Sequence, residues 1–414
     1  MTNQFFNSKE YELKNGIRLI TIKKDTHIAS IHVGIHIGSM YEQKHEKGIC
    51  HFIEHMLFKG TNKRDNNRIN QDLEERAGSY DAYTDYTSTV LAITALSEEL
   101  EASTELLSDM IINSTFPKEE IDKERKVILS ELKTSMDDVE QYSFNKINEV
   151  AFKKSPLRYD ILGSEKTIKS FTKEQLENFY HDHYIPNKCI ISVVSPFSHD
   201  IVKKMIEKYF NNWEKREEKN VLVSVEKNRN IEKVSYKRNI EQNTILFLYT
   251  FYGLTRKEEL ALEILNYKFG ESANSILFRA LREEKGFSYD VYSEIDVTEF
   301  IKTLYIYTTA EEDDIWKAKK VIEDCITKIK NKEIYFDDKH ITHMKKVMKT
   351  GIFSILEDSQ ALGNYVLHQK MMGRKIDVFI DDIKELDDIK GDDICKVAQK
   401  VFCKPTIHIL LNKK

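Results

Sequence analysis

Gly48-Ile-Cys-His51-Phe-Ile-Glu54-His55-Met-Leu-Phe58 is the stretch on which the reading of this chain turns. It contains the pattern H-x-x-E-H. On a helix advancing about 100° per residue, His51 and His55 lie one turn apart on one face, with Glu54 beside them. Two neutral imidazoles at that spacing can hold a divalent zinc ion. A carboxylate next to them can take a proton from a water that the ion activates. The pattern therefore predicts a helix opening after Gly48 and carrying part of a metal site. Cys50 precedes His51, but successive helix residues point about 100° apart, so it is not counted as a ligand.

Upstream, Asn15-Gly16 sits between Tyr11-Glu-Leu13 and Ile17-Arg-Leu-Ile20, a hairpin signal. Ile31, Val33, Ile35 and Ile37 alternate with Ser30, His32, Gly34 and His36, which predicts a half-buried strand with two surface histidines. The same order of elements recurs in the later half of the chain, an internal duplication. Ile245 to Tyr252 is a second apolar strand ending at Gly253, and Glu259 to Phe269 a second helix, without metal ligands. Leu73-Glu-Glu-Arg-Ala-Gly78-Ser-Tyr-Asp-Ala-Tyr83 is echoed by Arg282-Glu-Glu-Lys-Gly286-Phe-Ser-Tyr289-Asp-Val-Tyr292. The offset from Gly38 to Gly253 is close to that from Gly78 to Gly286, so the register holds at both points. Strands at Thr89–Thr94 and Thr303–Thr308 each precede a long amphipathic helix. The charged stretch Asn211–Asn220 suits a linker. The pattern divides the chain into residues 1–212 with the metal helix, a linker at 213–232, and residues 233–414 without metal. Strands and helices mix without a strict βαβ rhythm, so the expected class is α+β, two homologous domains each with a mostly antiparallel sheet packed by helices.

A tetrahedral catalytic zinc takes three protein ligands and keeps one open position. The helix predicted after Pro117 carries Glu124 and Glu131, two turns apart and about 20° from alignment on one face. One of them can ligate the metal while the other orients a ligand histidine. A net charge of −5, with 41% hydrophobic and 32% charged residues, gives no reason to expect nucleic-acid binding. No apolar run reaches the length of a membrane span, and the N-terminal residues lack the pattern of a secretory signal. Cys50, Cys189, Cys325, Cys395 and Cys403 have no metal-binding spacing and read as reduced thiols of a cytoplasmic protein.

At this point the chain resembles the M16 metallopeptidases, in the short two-domain form related to the β subunit of the mitochondrial processing peptidase. Gly48 to Thr61 follows that family's H-F-x-E-H-x-x-F-K-G-T run. The likeness continues through Glu124-Arg-Lys-Val-Ile-Leu-Ser-Glu131, Pro156-Leu-Arg-Tyr-Asp-Ile-Leu-Gly163 and Tyr180-His-Asp-His-Tyr184-Ile-Pro186-Asn187. The resemblance implies a LuxS/metallopeptidase-like fold and a clam-shell dimer. It implies one zinc ion per chain on His51, His55 and Glu131, the separation of Glu131 from His55 being close to the family's interval. Glu54 becomes the general base, and Glu124 supports a ligand from behind. His181 and His183 fall on a family structural motif and receive no metal.

By the same resemblance Arg282 and Tyr289 bind the substrate backbone and the oxyanion. In long family members the zinc half and the Arg/Tyr half belong to different tandem units. This chain holds one such unit, so a homodimer with composite sites is expected, or a heterodimer with a paralogous subunit. Asp81, Ala82 and Tyr83 fall on the strand expected to take an extended peptide. The implied activity is cleavage of peptides or precursor leader segments within an enclosed chamber. A leader peptidase of a modified-peptide pathway with a partner subunit is the alternative, and a non-catalytic assembly subunit is the reading from another class. Ile276 stands where relatives often have arginine, so presequence handling of the mitochondrial type is not expected.

Asp81 stands where the family usually has asparagine, and an ionised aspartate only accepts hydrogen bonds. Wild-type activity is expected to need a higher pH than Asp81→Asn. Coincident pH–rate profiles for the two proteins would refute this.

Overall fold

The computed structural model describes residues 6–218, 221 and 223–413. The N-terminal signal reading over residues 1–5, and residues 219, 220 and 222 of the linker stretch, lie outside them. Strands β1 (Asn7–Glu12), β2 (Arg18–Lys23) and β3 (Ile28–Ile35) lead into helices α1 (Ile49–Met56) and α2 (Asn66–Glu75). Then come β4 (Ser79–Thr84), β5 (Thr89–Leu96), α3 (Leu100–Ile112), α4 (Lys118–Asp137), α5 (Val139–Ala151) and β6 (Cys189–Ser195). The later half contributes β7 (Ile231–Lys237), β8 (Asn243–Thr250), α6 (Arg256–Asn266), β9 (Val291–Val297) and β10 (Lys302–Ala310). It continues with α7 (Ile315–Lys330), α8 (Asp338–Glu357), α9 (Ser359–Met371) and β11 (Thr406–Asn412). The Asn15-Gly16 hairpin forms as read, pairing Glu12 with Arg18.

The first sheet runs β1-β2-β6-β3-β5-β4 and the second β7-β11-β8-β10-β9. Without β1, the two orders are the same. Each sheet is antiparallel except for one pair, β2 with β6 and β11 with β7, where the last strand in sequence lies parallel to β2 or β7. The expected α+β class with two homologous, mostly antiparallel sheets is what the chain adopts. The helices keep the duplication too. α4 and α8 both have 20 residues, and α5 and α9 both have 13. The sequence offset from α4 to α8 equals that from α5 to α9.

The compact units are not contiguous in sequence. One comprises Met1–Lys133, Asp160–Val223 and Phe353–Ile376; the other comprises Thr134–Tyr159, Ser224–Ile352 and Asp377–Lys414. The homologous helices α5 and α9 are thus exchanged: α5 packs on β8 and β11, and α9 on β3 and β6. Leu362, Val366, Leu367 and Met371 of α9 join Ile20, Ile22, Val90, Ile190 and Val194 of the first sheet in one buried cluster.

This packing corrects one expectation. β3 is buried on both faces after its first residue, and His32 is 2% exposed rather than on the surface. Its alternation looked half-polar because the helix that covers it, α9, belongs to the far end of the chain. The approach is close: a Cβ on Gly363 would sit 2.6 Å from the His32 ring, and one on Gly34 would sit 2.3 Å from Met371. His36 is half-buried, its Nε2 2.9 Å from the Tyr41 hydroxyl.

Burial, reinforced by the charge of His368, holds the His32 imidazole down to about 4. Burial likewise holds His408 at about 4 in the second unit. A histidine depressed in the folded state binds its proton only after unfolding, so stability is full above about pH 6.5 and falls as the pH drops toward 4. His32 alone contributes about 3 kcal/mol to that fall. Urea midpoints at pH 7.5 and 4.5 are expected to differ markedly in the wild type and less in His32→Gln. Equal wild-type midpoints would contradict this account of the buried histidine.

Candidate metal centre

Helix α1 starts without a conventional side-chain cap. Gly48, at φ +94°, turns the chain into it. The free N–H groups of its first turn find Glu42 instead. The Gly48 N–H donates to Oε2 at 3.0 Å and the Cys50 N–H to Oε1 at 2.9 Å. A carboxylate there offsets the positive end of the helix dipole and satisfies groups that would otherwise lack partners. Glu42 is buried, with the Lys47 ammonium 3.9 Å away, and Lys47 in turn donates to the Ser39 carbonyl at 2.6 Å. Burial pushes the Glu42 carboxyl up to about 7, opposed by Lys47 and the two amides.

One turn on, α1 presents His51 and His55, their ring centres 4.6 Å apart. Glu131 of α4 meets both. His51 Nε2 lies 3.6 Å from Oε1, and His55 Nε2 lies 3.6 Å from Oε2. Among the described residues these three are the group whose ligand atoms gather, all within 4.8 Å of one another. A distance of 3.6 Å is too long for a hydrogen bond. Atoms sharing a tetrahedral zinc at about 2.0–2.1 Å stand about 3.3 Å apart, so the spacing suits a shared ion. Burial, then the neighbouring His55, holds His51 down to about 3, so it is neutral at physiological pH and its nitrogen lone pair is free. Burial raises Glu131, with His55 opposing and Asp160 reinforcing.

The supporting shell is specific. His55 Nδ1 lies 3.0 Å from Glu124 Oε2, and Lys59 Nζ lies 2.8 Å from Glu124 Oε1. Burial alone would raise Glu124, but the hydrogen bonds from His55 and Lys59 outweigh it and hold the carboxyl below its usual range. Glu54, also buried, accepts a hydrogen bond from Thr84 Oγ1 of β4 at 2.7 Å. Burial raises the Glu54 carboxyl despite that bond. Cys50 is buried, and its thiol is pushed well up by burial and by Glu42. His183 packs its ring on Phe179, with 4.4 Å between centres.

β4 is an edge strand of its sheet. Alternation places Ala82 on the face of Thr84, and Asp81 on that of Tyr83. The Tyr83 hydroxyl donates to Asn364 at 2.9 Å and lies 2.8 Å from His368 Nε2, both on α9. The Tyr83 hydroxyl is thus already engaged within the first unit. Arg282 and Tyr289 lie in the second unit. The guanidinium sits 4.7 Å from the Tyr289 ring centre and 5.0 Å from that of Phe278. Tyr289 is 73% exposed. Glu42, Thr84 and Lys59 were not singled out in the sequence. Lys59 stood inside the F-K-G-T run, but no short-range signal marks Glu42 or Thr84.

The duplication places different residues at the corresponding positions of the later half. At the offset that relates Gly38 to Gly253, His51 and His55 correspond to Asn266 and Gly270. At the offset that relates α4 to α8, Glu124 and Glu131 correspond to Met344 and Gly351. Asn266 Oδ1 instead accepts from Ser293 at 2.7 Å, and a Cβ on Gly270 would collide with Ser293 at 2.2 Å.

Residues 18–165 match the family model described as Insulinase (Peptidase family M16), and residues 170–348 that of the Peptidase M16 inactive domain. A Rickettsia felis protein described as an uncharacterized zinc protease is 30% identical over 411 residues, covering 97% of this chain and 96% of that one. The β subunit of the mitochondrial-processing peptidase of Caenorhabditis elegans is 33% identical over 198 residues, 48% of this chain and 43% of that one. The crystal structure of a protease from Helicobacter pylori shares the fold, with a TM-score of 0.92 at 20% identity, covering 98% of this chain and 99% of that one. The chain belongs to peptidase family M16.

Removing the Glu42 carboxylate strands the first-turn amides of α1. Glu42→Ala is expected to lower stability by about 2 kcal/mol, read as a shifted denaturation midpoint. An unchanged midpoint would mean that the cap contributes nothing.

Proposed function

We propose that this chain is a zinc-dependent endopeptidase, with one zinc ion held by His51, His55 and Glu131. The observation that carries the reading is the convergence of three ligand atoms beside a buried carboxylate, in a chain of a peptidase family. Zinc, when bound, supplies the Lewis acidity that activates water and polarises the scissile carbonyl. Thr84 holds one oxygen of Glu54 and leaves the other for proton transfer. Glu54 takes the proton of the attacking water and returns it to the leaving amine. Its burial-raised carboxyl suits both steps. Glu124 holds the His55 ring from behind. The open edge of β4 at Asp81, Ala82 and Tyr83 binds an extended peptide through its backbone.

Arg282 and Tyr289 bind the oxyanion and the substrate backbone in the site of a second protomer, so the working form is a homodimer. A heterodimer with a paralogous subunit fits the same chemistry. The match of about half of the chain to a processing-peptidase β subunit favours precursor maturation as a second reading within this activity. An inactive assembly role is disfavoured because all three residues of H-x-x-E-H are present. The five free thiols suit a reducing compartment such as the cytoplasm. No helix of the described residues is long and apolar enough to cross a membrane.

Glu54→Gln protein is expected to keep its zinc and lose peptide cleavage by roughly 10²-fold or more. Mixing it with Arg282→Ala protein is expected to restore up to about a quarter of wild-type activity, since half the dimers carry one intact site. Unimpaired Glu54→Gln would refute the assigned base, and no regain on mixing would refute the shared site.

A further inference from the structure

We propose that Lys59 is a positioning residue of the metal site, acting through Glu124 on His55. The inference rests on the zinc reading of His51, His55 and Glu131. Both oxygens of Glu124 are committed, Oε1 to the Lys59 ammonium at 2.8 Å and Oε2 to His55 Nδ1 at 3.0 Å. A carboxylate with one partner can pivot about its bond to the chain, whereas one held at both oxygens cannot. The Glu124 side chain is 8% exposed and that of Lys59 20%, so water competes weakly for either contact.

Lys59 is itself fixed. Its backbone N–H donates to the Met56 carbonyl at 3.0 Å, in the turn that closes α1. The ammonium therefore reaches α4 from a point anchored to the helix that carries the ligands. A carboxylate on Nδ1 keeps the proton on that nitrogen and leaves the Nε2 lone pair facing Glu131, 3.6 Å away. Among the described residues His51 Nδ1 is buried without a hydrogen-bond partner, so His51 lacks the support that His55 has. The orientation of the imidazole pair thus leans on one side, on the chain Lys59–Glu124–His55.

An ion pair that merely fastened α1 to α4 would give the same distances, so the test must read more than stability. Zinc affinity is measured by competition with a chromophoric chelator for wild type, Lys59→Met, Glu124→Gln and the double variant, alongside metal-free melting temperatures. Lys59→Met is expected to weaken zinc binding roughly tenfold. The double variant is expected to bind no more weakly than Glu124→Gln alone, because Lys59 acts only through that carboxylate. Should Lys59→Met not fold, Lys59→Gln takes its place with the same expectation.

Wild-type zinc affinity in the Lys59 variant would overturn the proposal, whether or not its melting temperature falls. So would a double variant whose loss is the product of the two single losses. A wild-type chain that takes up no zinc would instead overturn the metal reading itself, which separates the two failures.

Discussion

His51, His55 and Glu131 converge from two helices. The distances from Glu131 to the two imidazoles exceed a hydrogen bond. Burial works against charge at His51, which it pushes down, and at Glu54 and Glu131, which it pushes up. The trio is therefore held in place by its surroundings, and a cation bound there would relieve the cost of burying the carboxylates. Because metal coordination tolerates only a few tenths of an ångström, the position of α1 against α4 and β4 is the constraint on which everything else depends. Glu42 fixes the start of α1, Lys59 and Glu124 tie its end to α4, and Thr84 ties its middle to β4.

The duplicated fold accounts for where these anchors come from and where they stop. Each half builds a sheet with a late strand inserted beside β2 or β7, and each contributes one helix, α5 or α9, to the other unit. That exchange gives the first sheet a second covered face. It also places Asn364 and His368 against Tyr83, so the edge strand beside Glu54 is braced on the face opposite Thr84. In the other half the equivalent positions hold Asn266, Gly270, Met344 and Gly351, and Asn266 accepts a hydrogen bond from Ser293. One plan thus gathers His51, His55 and Glu131 in one half and places non-ligating residues at the equivalent positions of the other.

Much of this was legible along the chain because its signals are local. The H-x-x-E-H spacing, the Asn15-Gly16 turn and the two-turn interval from Glu124 to Glu131 each lie within a short run of backbone. What escaped reading depends on distant partners. His32 looked like a surface residue because the helix that buries it begins only at Ser359. Glu42 has no place in a capping pattern, since it reaches the first turn of α1 from the loop ahead of Gly48. Thr84 is one of several threonines in a β-prone stretch, and only the packing of β4 beside α1 gives it Glu54 to hold.

The central claim is that His51, His55 and Glu131 share one zinc ion. X-ray absorption at the zinc edge on the zinc-loaded full-length protein tests it most directly, with Glu131→Gln as comparison. The account predicts one zinc per chain, with two imidazole nitrogens and carboxylate oxygen at about 2.0–2.2 Å, and an altered shell or lost metal in the variant. A shell containing sulfur, fewer than two imidazoles, or a spectrum that Glu131→Gln leaves unchanged would contradict it.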